Sequence, residues 1–328
     1  MGNFQETIAD LVRLGVHDDT IRANLLTGGE VFLVLEDSDT DYNKIFQRFG
    51  SENVFTTLNE AYEACVTNRN DIILMSAQNT HTVVSIAWTK SRIHVEGLDG
   101  GGRYLQQGTK LQTATGTAGA YVIKNTGTRN SFRNIKFIQG SAEATALTVF
   151  QFGGEGNMYE NCSFVFGVAD NLGGTTAHEA VMGEDSGTFK ECTFGNDTLV
   201  TSGDRAVMLI DEVTTGQEMK SCVFKDCLWS INSSEANANF IKINAAGDCK
   251  FTQTFINPIF NAAICAGSGG IALTDAVESV TGLVDGNLLF VSPACNCTNF
   301  CATVTDQVQV VGMGDMTTSK VGIAVTPA

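Results

Sequence analysis

Proline, tryptophan and histidine are scarce in this chain of 328 residues, with three, two and four copies. No run of eighteen apolar residues occurs, so the sequence offers no membrane-spanning helix. Basic residues are outnumbered, 20 against 36 acidic, for a formal net charge of −16. That balance argues against a sequence-independent grip on nucleic acid and against adhesion to an anionic membrane. The opening residues carry neither a basic stretch nor an apolar core, so no signal peptide is expected. Met1-Gly2 begins like a myristoylation site, but Glu6 stands where Ser or Thr is wanted.

What the chain has is repetition. Phe132–Phe137, Tyr159–Phe164, Phe189–Phe194, Met219–Phe224 and Phe255–Phe260 read alike, alternating large apolar with polar and closing on Phe. Cys162, Cys192 and Cys222 sit two residues before that Phe, at steps of thirty residues. A second line recurs upstream and closes in turn on Asn125, Gln151, Asp185, Asp211, Asn244 and Asp275. A period of this length marks units that bury their apolar face only by stacking on a neighbour. Alternation with period two puts one side of each strand inward and the other outward. The expectation is an all-β solenoid, a parallel β-helix, with aromatic, thiol and aliphatic ladders inside and Asn/Asp at the turns.

The start of the chain departs from the repeat. Residues 3–26 carry helical spacing, and Val31 to Leu35 is an apolar run. Asp37 to Asp41 is an acidic turn that lacks the glycine and distal glutamate of a calcium loop. Residues 54–66 read as a helix capped by Thr56 or Thr57, with Leu58, Ala61, Tyr62 and Cys65 on its apolar side. Such a helix would cover the open end of the first coil, ahead of strands at Asp71–Met75, Thr82–Ile86 and Arg92–Glu96. The division expected is 1–50 for attachment and assembly, 51–300 for the β-helix and 301–328 for C-terminal strands.

Ten cysteines could signal a disulfide scaffold. The inward strand positions of Cys162, Cys192 and Cys222 instead suit free thiols acting as small hydrophobes. Cys295, Cys297 and Cys301 are weaker candidates for a metal, lacking a fourth ligand nearby in sequence. No cofactor is expected.

The order Phe55-Thr-Thr-Leu-Asn-Glu-Ala, then Asp71-Ile-Ile-Leu, then Ile93-His-Val-Glu-Gly97 resembles the opening of pectin-lyase-like right-handed parallel β-helix proteins. Asn161-Cys-Ser-Phe164 and Glu191-Cys-Thr-Phe194 resemble that superfamily's repeating strand. The resemblance covers about residues 54–295 and implies the fold. It leaves function open, because the fold hosts lyases, glycoside hydrolases, esterases and non-enzymatic virion proteins. A small N-terminal region ahead of such a column is similar in layout to phage tailspikes and other virion proteins.

The Asn-x-Asp, Asp-Asp and Gly-His-Gly motifs of polygalacturonase-like enzymes are missing from the column, and His17, His81, His94 and His178 are scattered. The candidate acids and base are Glu184, Asp185, Asp204, Arg205, Asp211 and Glu212. In register, Asp185 would lie under Asp211 at about 4.8 Å, the coil spacing. That is near the carboxylate separation of a retaining glycosidase, about 5–5.5 Å. A turn that wants Asn, Asp or Gln in every coil explains all six residues of the line, whereas catalysis explains two. The resulting expectation is a non-catalytic phage virion protein, a capsid decoration, spike or tail fibre subunit. Its expected partners are other capsid or tail proteins, copies of itself as a homotrimer, and a host surface glycan, without nucleic acid or membrane insertion. Its expected location is the virion, after synthesis in the host cytoplasm. The alternative is a carbohydrate-active enzyme, a depolymerase or a pectate-lyase-like lyase or hydrolase.

Overall fold

A computed structural model describes residues 28–36, 51–99, 107–116, 118–168, 175–245, 247–263, 273–278, 285–297, 299–301 and 308–312. The described residues form a right-handed parallel β-helix of three sheets, twelve, eight and eight strands wide, in which every pairing is parallel. Each coil gives one strand to each sheet. One such coil runs Met158–Glu160 in the long sheet, Ser163–Phe166 in the second and His178–Met182 in the third.

The lumen is filled by aromatic ladders, as the alternation requires. In the long sheet Phe132, Tyr159, Phe189, Phe224, Phe255 and Phe290 stand in register. Their rings stack nearly parallel at 4.5–5.6 Å. A second ladder, Phe137, Phe164, Phe194, Trp229 and Phe260, climbs the second sheet at 5.2–5.3 Å. Offset and stacked ring pairs contribute about 0.5–1.5 kcal/mol each beyond the area they bury.

One residue per coil turns the chain from the long sheet to the second. Asn134, Asn161, Glu191, Asp226, Asn257 and Ser292 all have left-handed backbone, φ 49–59°. Asn and Asp tolerate that region best among residues with a Cβ. Asn161 Nδ2 donates to Asn134 Oδ1 at 2.9 Å, and Asn257 Nδ2 to Asp226 Oδ1 at 2.9 Å. The next position inward carries Cys162, Cys192 and Cys227, whose thiols donate to the carbonyls of Phe132, Tyr159 and Phe189 in the preceding coil.

Cys222 is therefore not the third rung. Thr193 pairs with Leu228, which seats Cys227 beside Cys192. Val223 pairs with Thr188 and Thr254, so Cys222 stands between Gly187 and Gln253 instead. Met219–Phe224 imitates the repeated line, but the extra length of the Thr193–Thr201 strand delays the true repeat to Phe224–Trp229. All three predicted thiols are free and buried.

The helix at the column's start, α1 (Leu58–Ala64), is shorter than the 54–66 expected. Thr57 and Glu60 close it with a capping box: Glu60 N–H donates to Thr57 Oγ1, and Thr57 N–H to Glu60 Oε2, each at 3.2 Å. Tyr62 packs on Trp88 of the first coil at 4.2 Å between ring centroids.

The expected boundary at residue 50 is corrected. Val31–Val34 pairs with Ile72–Met75 as a further strand of the long sheet, and Val54–Phe55 pairs with it in turn. An apolar run with Phe32, Leu33 and Val34 fully buried belongs to the column's core rather than to a partner's sheet. At the other end, Asn299–Cys301 and Val308–Val311 extend the third and long sheets past residue 300. The predicted helices of 3–26, the Asp37–Asp41 turn and the strand at 321–325 lie outside the described residues.

Candidate functional site

The outward face of the third sheet holds a groove of about 760 Å³. Its strands are Ile123–Asn125, Thr148–Phe152, His178–Met182, Ala206–Ile210 and Asn239–Ile243. In these strands the core takes Phe150, Ala180, Met208 and Ile241, and again Phe152, Met182, Ile210 and Ile243. The position between them points outward. There Lys124, Gln151, Val181, Leu209 and Lys242 form a row in register. His178 and Thr148 pair at the edge of the groove, and Asp204, Asp211, Glu212 and Asn244 line it further along.

The predicted carboxylate ladder is corrected by this register. Backbone bonds run from Gly183 N–H to the Phe152 carbonyl, from Asp211 to Met182 and from Asn244 to Ile210. Asp211 thus falls between Gly183 and Asn244, while Asp185 bridges to Glu155 and Lys220 in another column. The two carboxylates are not stacked. The pairing of Met182 with Ile210 sets Asp211 opposite position 183, and the strand ends at Met182, before Asp185. Position 183 is a glycine over which the chain packs closely: a Cβ there would meet the Gln217 carbonyl at 2.6 Å and the Asp211 carbonyl at 3.0 Å.

The other candidates separate. Asp204, Asp211 and Glu212 reach the groove. Asp211 Oδ1 accepts the Glu212 N–H at 2.8 Å, which fixes its carboxylate at the turn. Asp185 is half-buried, with Oδ1 accepting from Ser186 Oγ at 2.8 Å. Glu184 is wholly buried: Oε1 accepts from Asn157 N–H and Nδ2, while Oε2 has no partner. Burial pushes its carboxyl well above the usual glutamate range, although the Asn157 bonds pull the other way.

Arg205 is also buried, against expectation for a groove base. Its Nη2 donates to Glu179 Oε1 at 2.6 Å, its Nη1 to the Ala177 carbonyl at 2.9 Å, and its guanidinium lies 5.6 Å from the Phe166 ring centre. Burial raises the Glu179 carboxyl, and Arg205 opposes that rise. This pair braces the strand on both sides of His178 without entering the groove.

Cys295, Cys297 and Cys301 end the second and third sheets. Cys297 N–H donates to Cys295 Sγ at 3.4 Å. The Cys297 side chain holds the Cys295 thiol below its ordinary value, while Cys297 is itself pushed up by Cys295 and by burial. Among the described residues no three His, Cys, Asp or Glu side chains converge as metal ligands.

Three groove residues escaped the sequence reading: His178, Lys124 and Lys242. Lys124 and Lys242 sit in the second repeated line and His178 just ahead of it, and only the coil-to-coil register brings them together. The groove offers carboxylates, ammonium groups, an imidazole and amide or hydroxyl groups over an apolar floor of Val181, Leu209 and Val213. That mixture can bind a polyol and can supply acid–base groups.

No family model matches the chain, and no curated protein matches it in sequence. Solved structures do resemble it. One is a pectin methylesterase in complex with a hexasaccharide, 12% identical, covering 87% of this chain and 92% of its own, TM-score 0.48. Another is the Aspergillus niger pectin methylesterase, 12% identical, covering 80% and 82%, TM-score 0.45. A third is the Erwinia chrysanthemi pectin methylesterase, 11% identical, covering 86% and 80%, TM-score 0.44. The expectation of a non-catalytic virion protein is corrected here. The similar structures are pectin methylesterases, and Asp204, Asp211 and Glu212 share one groove with His178. The phage resemblance finds no counterpart among them.

Proposed function

We propose that the chain is a carbohydrate-active enzyme whose polysaccharide substrate lies along the outward face of the third sheet. The groove carries this reading. It runs across five coils, from Lys124 to Lys242, a distance of about 19 Å at the parallel-strand spacing. Asp204, Asp211 and Glu212 are the acid–base candidates, and Lys124 and Lys242 are placed to meet anionic substituents.

The test is a panel of polysaccharides (polygalacturonate, alginate, xylan and dextran, with acylated forms). New reducing ends, unsaturated uronates and released acyl groups would be measured. Turnover of at least one, lost in the Asp211→Asn, Glu212→Gln double variant with the fold intact, is expected. Neither turnover nor retardation of the native protein in polysaccharide gels would refute the reading.

A further inference from the structure

His178 is 6% exposed, yet its ring lines the groove. Nδ1 lies 2.8 Å from the carbonyl oxygen of Ala206 in the next coil. A carbonyl only accepts, so Nδ1 carries the hydrogen, and in a neutral imidazole Nε2 is then the acceptor. Among the described residues no group bonds Nε2. The strand that carries the ring is held rigidly, because Arg205 ties down the Ala177 carbonyl on one side and the Glu179 carboxylate on the other.

The charge state follows from the surroundings. The charged groups that act on the ring are Arg205 and Lys242 from the following coils, while Lys124, Asp204, Asp211 and Glu212 line the same groove. Burial lowers the imidazole to about 4, and Arg205 and Lys242 add to the effect against the Ala206 carbonyl. The ring is therefore uncharged across the physiological range. A group so weakly basic is a poor proton abstractor, since a general base works best near the operating pH. What it offers is a fixed lone pair.

We infer that His178 presents Nε2 as an uncharged acceptor for a ligand hydroxyl, making it a specificity determinant of the groove. The inference deepens the carbohydrate reading and rests on it. A lone pair aimed into the groove rewards an O–H donor and repels a carboxylate or ether oxygen at the same point. Lys124 and Lys242 have the opposite preference, so the site would discriminate by which substituent each sugar turns towards which coil.

The experiment has two arms. In the first, protein labelled with ¹⁵N-histidine is examined by long-range ¹H–¹⁵N correlation without ligand. The expected spectrum shows His178 neutral at pH 7 with the hydrogen on Nδ1. The Nε2–H tautomer or an imidazolium at pH 7 would overturn the inference whatever the protein binds. In the second arm, native protein and His178→Asn are titrated with polygalacturonate, alginate, xylan and dextran oligosaccharides. Asn keeps an N–H for the Ala206 carbonyl and, being shorter, removes the acceptor at the Nε2 position, and His178→Ala removes every side-chain acceptor as the control.

A loss of about tenfold in affinity for a bound oligosaccharide, with the thermal midpoint retained, supports the inference. Equal affinity overturns it while the carbohydrate reading stands. If native protein of the expected tautomer binds none of these glycans, both fall, and the first arm shows that the fault lies with the ligand class.

Discussion

Glu184 should make the protein less stable as pH rises, and Glu184→Gln should remove that dependence. The carboxyl occupies a gap in a buried polar ladder. Ile93 N–H donates to Asn130 Oδ1, and Asn130 N–H to Asn157 Oδ1, each side chain serving the preceding coil. The next rung is Gly187, which has no side chain, and Glu184 reaches in to accept the Asn157 N–H at 3.3 Å and Nδ2 at 2.7 Å. Oε2 is buried with no partner within hydrogen-bond distance. The Tyr159 hydroxyl beside it accepts from Asn125 Nδ2 at 2.8 Å and has its own hydrogen left to face the carboxyl, which opposes the rise.

Because burial raises the folded-state value above the unfolded one, the native state holds a proton that the unfolded chain releases. The associated stability is whole below the ordinary glutamate value and is lost as pH rises towards the folded value. One proton bounds the slope at about 1.4 kcal/mol per pH unit. From pH 5 to pH 6 the native protein should therefore lose up to about 1.4 kcal/mol relative to Glu184→Gln, which keeps the oxygen acceptor and does not titrate. Glu184→Ala should lose about 1–3 kcal/mol at every pH, because it strands the Asn157 donors. Thermal midpoints of the three proteins between pH 4.5 and 8 test this. Curves for native and Glu184→Gln that run parallel would refute the reasoning.

Two further outcomes follow from buried groups. Arg205→Met should destabilise by about 3–5 kcal/mol by leaving Glu179 charged and alone, whereas adding Glu179→Leu should recover most of it; a double variant as unstable as the single one would contradict this. Cys295, half-buried and with its thiol lowered by Cys297, should be the first of the nine described cysteines alkylated at neutral pH, with Cys162, Cys192 and Cys227 labelled only on unfolding. Peptide mass mapping of partly alkylated native protein reads the order, and early labelling of Cys192 would count against the ladder.

The coil plan was legible because every coil must bury the same face, so Phe132, Tyr159 and Phe189 announce themselves at nearly constant spacing. The register was less legible. Met219-Lys-Ser-Cys-Val-Phe224 satisfies the same alternation as Phe224-Lys-Asp-Cys-Leu-Trp229, and only the pairing of Thr193 with Leu228 decides between them. The site suffered from the same ambiguity. Asp204, Asp211 and Glu212 were recognisable as candidates, but their association with His178 and Lys242 depends on the register of the third sheet. Asp185 was drawn into the ladder by its place after an alternating run, but the pairing of Met182 with Ile210 sets Asp211 opposite position 183 instead. The Val31–Val34 strand was misassigned for a related reason: its partner, Ile72–Met75, is remote in sequence and no repeat marks the pairing.

The two outward faces use their charges differently. On the long sheet Glu160 takes both Arg133, at 3.2 Å, and Lys190, and Glu218 takes Lys220 at 3.2 Å and Lys250 at 2.7 Å. These pairs, most of them between neighbouring coils, neutralise one another. The partly exposed lysine pairs contribute about 0–1 kcal/mol each, so they mainly keep the face from repelling itself. The third sheet pairs Lys242 with Glu278 at 2.9 Å, but Lys124, Asp204 and Glu212 have no ion-pair partner among the described residues. In a chain of net charge −16, leaving Lys124 unpaired in a groove that holds carboxylates does nothing for the column's own stability. Burying an imidazole with one nitrogen satisfied and the other turned to the groove serves it no better. A face that has satisfied its own charges has little left for a ligand. The third sheet retains donors, acceptors and charge of both signs in one concavity, and this contrast supports placing the substrate there rather than on the wider long sheet.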